Sequence, residues 1–206
     1  KPFDMNELIL LVAGLVERDG PTLESVWQND EPRANTYEIA IDELCTHLIA
    51  QYQPMAKDLR TILMIYNING SLERMGDHAV NIAQCGRDLL TRPQIKKYID
   101  IPRMKDLVLH MLSDSISALI QEDCDLALDV CTRDDAIDGL RNQTTRELIT
   151  YMTENPAIIS PCLLIMRIAE NLERIADLTT NISEDIVFMS RGKVIKHHLQ
   201  DGGKQP

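Results

Sequence analysis

The sequence of 206 residues has few aromatic side chains and a strong deficit of positive charge. Aromatic residues make up 4% of the chain, and its apolar content comes from Leu, Ile, Ala, Val and Met. This composition favours helix over sheet, because Leu, Ala and Met are good helix formers and bulky β-formers are scarce. The net charge of −11 argues against a nucleic-acid-binding surface, which would need a basic footprint. It is compatible with cation binding, and equally with an acidic surface that is only hydrated.

Long apolar runs and paired cysteines are also missing. The longest apolar run, residues 8–16, is too short to span a bilayer, and no cleavage-site pattern follows it. The five cysteines form no CxxC pair, which favours buried, reduced thiols in a cytosolic protein. From these absences we expect a soluble, cytoplasmic protein.

A repeat of about 100 residues organises the chain. SLERMGDHAVNIAQ at residues 71–84 aligns with NLERIADLTTNISE at residues 171–184, and residues 5–26 align with residues 104–125. Apolar residues recur at helical spacing within the repeat, and strict apolar–polar alternation is absent. The sequence therefore predicts an all-α fold of two tandem three-helix bundles that arose by internal duplication.

The predicted boundaries follow from prolines at corresponding places in the two halves. We assign the first repeat to residues 1–92, the second to residues 93–199, and a polar tail to residues 200–206. The predicted helices cover residues 5–29, 34–52 and 54–90 in the first repeat, and residues 103–131, 135–153 and 157–191 in the second.

The repeated phrase carries oxygen-bearing side chains every four residues, which lie in a column on one helix face. Glu73, Asp77 and Asn81 form this column in the first repeat. Glu173, Asp177 and Asn181 form its copy. The column points away from the apolar stripe of its helix, so we expect it to face solvent or a groove shared with a neighbouring helix.

The second helix of each repeat offers a partner column. Glu38 and Asp42 supply it in the first repeat, preceded by Asn35. In the second repeat the corresponding column is made by Asp135 and Asp138, with Asp134 alongside and Asn142 in the place of Asp42.

Two interpretations of these columns stay open. Facing carboxylates repel each other, and a divalent or trivalent cation between them would be coordinated by hard oxygen ligands. Alternatively the columns are a solvated face, with Arg74 and Arg174 neutralising the acids.

Motifs of known catalytic sites are missing from the sequence. The Glu-x-x-His spacing of di-iron bundles does not occur, nor do GxxxxGK[ST], GxGxxG or GxSxG. We therefore expect no enzyme.

Three stretches together resemble the PhoU family of bacterial phosphate-signalling and phosphate-transport regulators. AIDELCTHLIAQYQPMAKDLR at residues 40–60 is similar to the second helix of that family, its Gln-Pro turn and the start of its third helix. LERMGDHAVNI at residues 72–82 and LERIADLTTNI at residues 172–182 resemble its two signature helices. Ala176 departs from the usual glycine, and its methyl group is expected to narrow the groove.

The resemblance implies a non-enzymatic repressor of the phosphate-starvation response. Such a protein links the ATPase of the phosphate transporter to a membrane sensor histidine kinase; it is peripheral to the membrane through these partners and forms a homodimer. The resemblance also implies metal binding, as a multinuclear iron cluster or another divalent metal. By position, the ligands would be Glu73 and Asp77 with Glu38 and Asp42, and Glu173 and Asp177 with Asp135 and Asp138. A metal-storing or metal-buffering helical protein and a metal-free helical adaptor are the alternatives.

Overall fold

In the computed structural model, residues 31–92 and 100–192 are described, together with Glu24 and Ile95. Six α-helices account for nearly all of the two described ranges, and no strand occurs in them. The helices are α1 (Glu31–Tyr52), α2 (Ala56–Leu90), α3 (Asp100–Gln121), α4 (Cys124–Cys131), α5 (Asp134–Glu154) and α6 (Ile159–Arg191), with a 3₁₀ turn at Pro156–Ile158. The all-α prediction is confirmed.

Most predicted helix boundaries agree with the structure to within a few residues. The exception is the predicted helix 103–131, which is wrong because the helix is interrupted between α3 and α4. Glu122 has a positive φ of 52°, and the Asp123 side chain accepts hydrogen bonds from the backbone N–H groups of Asp125 and Leu126. An aspartate in this position caps a new helix start. The predicted helix 5–29, apart from Glu24, and the tail 200–206 lie outside the described residues.

The two longest helices, one from each repeat, pack against each other. α2 has 35 residues and α6 has 33, and they pack antiparallel along each other. The His78 ring Nδ1 lies 2.9 Å from Asn171 Oδ1, and Arg92 donates to the Ser160 hydroxyl at 2.7 Å near the other end of the pair. α1 packs on α2, whereas α3, α4 and α5 pack around α6. The acidic phrase of each repeat therefore lies on a central helix.

Among the described residues, buried side chains of both repeats form one continuous core cluster. Met75 and Ile82 of α2 and Leu172 of α6 are fully buried in it. Ala176 is also fully buried in this cluster, so its methyl group packs in the core, and the expected narrowing of the acidic groove is wrong. None of the described helices combines the length and apolar character that a membrane span requires.

Candidate functional site

The first acidic patch consists of Glu38 and Asp42 on α1 and Glu73 and Asp77 on α2. Asn69 of α2, which is buried, fixes the two helices at this level. Its amide nitrogen donates to the Glu38 backbone oxygen at 2.8 Å and to Asp42 Oδ1 at 2.9 Å. This pair of bonds anchors the α1 column beside the α2 column, as the sequence predicts.

Within the first acidic patch, neighbouring carboxylates repel the charge of Glu73. The pKa of Glu73 is raised, first by burial and then by the charges of Asp77 and Glu38, while Arg74 acts in the opposite direction. Arg74 forms its hydrogen bonds elsewhere, with Nε donating to the Gly70 backbone oxygen at 3.0 Å. Among the described residues, no arginine or lysine forms an ion pair with any of the four carboxylates. Negative charge in this patch is therefore largely uncompensated by the described part of the chain.

The second acidic patch consists of Asp134 and Asp138 on α5 and Glu173 and Asp177 on α6. Asp135, which the sequence places in this column, is exposed, and Asp134 is the residue that lies against α6. The pKa of Asp134 rises from its ordinary 3.8 to about 6, first through burial and then through repulsion by four carboxylates: Asp177, Asp138, Glu173 and Asp135.

Two arginines enter the second acidic patch. Arg141 of α5 reaches Glu173 at 3.6 Å and Asp138 at 3.5 Å. Arg174 reaches Asp177 at 3.2 Å and Glu173 at 3.6 Å. Burial comes first in raising the pKa of Glu173, with Asp177 adding to it, and the two arginines oppose the rise. This patch differs from the first because its own chain supplies positive charge between the carboxylates.

The asparagines at the ends of the columns take little part in either patch. Asn181 and Asn142 are exposed, and Asn81 is partly buried. Within the described ranges, the side chains of Asn81 and Asn181 form no hydrogen bond with a carboxylate of their patch. As ligands they stay a prediction that the observed contacts do not support.

An open groove of about 540 Å³ lies beside the first acidic patch. It is lined by Asp42, Glu43, Thr46, His47, Ala50 and Tyr66. The sequence offers only the Glu43 and His47 spacing as a signal of this groove.

The two patches differ in how well they fit a metal ion. In residues 31–92 and 100–192, no three His, Cys, Asp or Glu side chains already converge on a point where a metal could be held. The first acidic patch nevertheless has suitable donors, because Glu38, Glu73 and Asp77 lie close together without an arginine ion pair in the described part of the chain, and hard cations prefer such oxygens. The second fits poorly, because Arg141 and Arg174 already contact its carboxylates.

Known proteins match this chain in sequence, including the repeated segments 71–84 and 171–184, and in fold. The sequence profile of the PhoU domain matches residues 7–86 and 101–186. The chain belongs to the PhoU family. Among curated PhoU relatives, the "Phosphate-specific transport system accessory protein PhoU homolog" of Aquifex aeolicus is 41% identical over 168 residues, which cover 81% of this chain and 76% of that protein. The protein of the same name from Pseudomonas putida is 37% identical over 187 residues, covering 90% of this chain and 73% of that protein.

Solved PhoU structures share the fold. The crystal structure of PhoU from Pseudomonas aeruginosa superposes with a TM-score of 0.88 at 32% identity, covering 92% of this chain and 90% of that one. The phosphate transport system regulatory protein PhoU from Streptococcus pneumoniae gives a TM-score of 0.83 at 26% identity, with coverage of 92% and 89%. The family assignment and the tandem helical bundles predicted from the sequence are confirmed.

Proposed function

We propose that this protein is a cytoplasmic accessory regulator of a phosphate transport system that represses the phosphate-starvation response. The observation that carries the proposal is the match of sequence and fold along most of the chain to proteins named as phosphate-specific transport system accessory proteins. In this role the protein couples the ATPase of the phosphate transporter to a sensor histidine kinase through contacts, acts as a homodimer, and requires no catalysis.

A genetic experiment tests the regulatory part of the proposal. Deletion of the gene should derepress a phosphate-scavenging reporter in phosphate-rich medium, and the wild-type gene should restore repression. A matched pair of variants tests whether repression requires the folded protein. Met75→Asp places a charge at a fully buried site, whereas Met55→Asp places it at a site that is 80% exposed. We expect only Met55→Asp to restore repression. Unchanged reporter activity in the deletion strain would contradict the regulatory role.

A binding experiment tests the coupling. The purified protein should retain both the transporter ATPase and the cytoplasmic part of the sensor kinase in a pull-down, and light scattering after size exclusion should give the mass of a dimer. Retention of neither partner, with the protein shown to be folded, would favour the metal-free adaptor of some other system.

We also propose that the first acidic patch binds a divalent cation, iron or another metal. Its support is the proximity of Glu38, Glu73 and Asp77, with Asp42 bonded to Asn69 on the same side of α1 and no arginine or lysine ion-paired with these carboxylates among the described residues. Glu73→Gln with Asp77→Asn should remove bound metal and leave the helical content unchanged, because both side chains lie outside the core cluster. Metal analysis after mild dialysis provides the measurement, and equal metal content in wild type and variant would refute this site. The storage alternative gains no support from the described contacts.

A further inference from the structure

The two acidic patches come from one duplicated unit, yet their electrostatic surroundings differ. Arg141 lies three residues after Asp138 on α5, and three residues after Asp42 the first repeat has Cys45, which is uncharged. The second repeat thus places a cation beside its carboxylate pair where the first repeat has an uncharged side chain. This difference affects only one of the two patches.

Arg141 is held within the second acidic patch. Its guanidinium lies between Asp138 of its own helix, at 3.5 Å, and Glu173 of α6, at 3.6 Å. Glu173 is only 8% exposed and Arg141 is partly buried, and a partly buried ion pair is screened less by salt than one on the surface. Arg141 Nε and Glu173 Oε2 are both buried without a hydrogen-bond partner. Removing the charge of either residue would therefore leave the other charge poorly compensated, which destabilises the fold.

The arginine shared by both signature phrases also behaves differently in the two repeats. In the first, Arg74 donates to the Ser71 hydroxyl at 3.2 Å, which holds it away from the carboxylates. The second repeat has Asn171 in place of Ser71, and the Asn171 side chain is engaged with His78 across the α2–α6 interface. Arg174 pairs with Asp177 instead, at 3.2 Å. The replacement of Ser71 by Asn171 thus accompanies a second arginine contact in the second patch, between Arg174 and Asp177.

We infer that Arg141 takes the place of a bound cation in the second acidic patch, so that this patch binds no divalent metal ion of its own. A metal ion that approached Glu173 would be repelled by the guanidinium that already contacts it. The inference deepens the proposed function, because it assigns cation binding to the first acidic patch. It also departs from the symmetric pair of sites that the repeat suggests.

A gain of binding provides the test. The background protein carries Glu73→Gln and Asp77→Asn, which disables the first acidic patch and leaves the second as the only one intact. Mn²⁺ is the probe, because it prefers carboxylate oxygens, and titration is followed by calorimetry and by metal analysis after dialysis. In this background Arg141→Ile, which removes the charge, should create binding of one Mn²⁺ per chain. The dissociation constant should fall by about tenfold or more relative to the background.

Two control variants separate the local contact of Arg141 from a general effect of charge, and a third variant stands in reserve for Arg141→Ile. Arg146→Ile removes the same charge from an exposed position of the same helix and should not improve Mn²⁺ binding. Arg141→Lys keeps the charge and should also bind no better than the background. Arg141→Met removes the charge with an unbranched side chain, and it replaces Arg141→Ile if circular dichroism shows that the isoleucine variant is unfolded.

Two results would overturn the inference. One is that the background protein itself binds Mn²⁺ and loses it when Glu173→Gln and Asp177→Asn are added, because the second patch would then bind metal with Arg141 present. The other is that folded Arg141→Ile or Arg141→Met binds no better than Arg146→Ile. The metal proposal for the first acidic patch fails on a different comparison: wild type and the background protein would bind Mn²⁺ equally.

Discussion

Replacing Asp134 by asparagine should stabilise the protein at neutral pH but not in acid. The folded protein raises the pKa of this carboxyl from 3.8 to about 6, so the fold binds the proton more tightly than the unfolded chain does. Below pH 3.8 the group is neutral in both states and the fold is not penalised. As the pH rises through about 6, the folded protein must hold the charge, and the free energy of unfolding falls.

The size of the effect follows from the same two pKa values. The rise of about two pKa units corresponds to about 3 kcal/mol, at 1.36 kcal/mol per unit. Asp134 is only partly buried, so solvent screening reduces this to about 1.5 kcal/mol. Loss of a negative charge from the first turn of α5 costs about 0.5 kcal/mol. We therefore expect Asp134→Asn to gain about 1 kcal/mol at pH 7 to 8.

Urea denaturation of wild type and variant, followed by circular dichroism between pH 4 and pH 8, measures this difference. The advantage of Asp134→Asn should grow between pH 4 and about pH 6 and then stay level. Asp135→Asn removes the same charge from the same helical turn at an exposed site, and it provides the control. If Asp134→Asn is no more stable than wild type at pH 8, or if its advantage is the same at every pH, the charge of Asp134 does not destabilise the fold.

Three further predictions concern stability, each measured by the urea midpoint. Ser183 donates to Ser115 at 3.1 Å in the fully buried core between α3 and α6. Either change to Ala should cost about 1 to 3 kcal/mol and the double change much less than their sum; simple additivity would contradict this. Leu172→Ala, at a fully buried site, should cost about 2 to 5 kcal/mol, whereas Leu163→Ala, at a site 48% exposed, should cost less than about 1 kcal/mol; equal losses would exclude a cavity effect. Asp123→Ala should cost about 1 kcal/mol through the lost α4 cap, and Asp123→Asn should retain most of it; equal losses in the two variants would speak against capping.

Periodicity was enough to predict the helices, but not the break between α3 and α4. The apolar spacing runs on through residues 116–130, so it indicates one helix there. Asp123 interrupts it because its short side chain competes for backbone N–H groups, and such competition is decided by packing around the turn rather than by periodicity. QEDCD at residues 121–125 is the only local signal of the break.

The sequence predicted the first acidic patch better than the second. Glu38 and Glu73 come together as the repeat indicates, because helix register alone places the two columns on facing sides. The second patch could not be predicted without the packing of two helices. Arg141 reaches Glu173 only because of the way α5 is placed along α6. A long guanidinium side chain has many rotamers, so spacing along the chain cannot show which carboxylate it contacts.

The antiparallel pairing of α2 and α6 has a consequence for the origin of the chain. A single unit would expose the apolar face of its long helix, and a second copy of that unit would cover it with two-fold symmetry. Fusion of two units makes this association intramolecular, so it no longer depends on concentration. Fusion also frees the halves from identity, because a substitution then appears once per assembly instead of twice. Arg141 is such a difference, because it contacts the carboxylates of the second acidic patch, and within the described residues the first acidic patch has no ion-paired arginine.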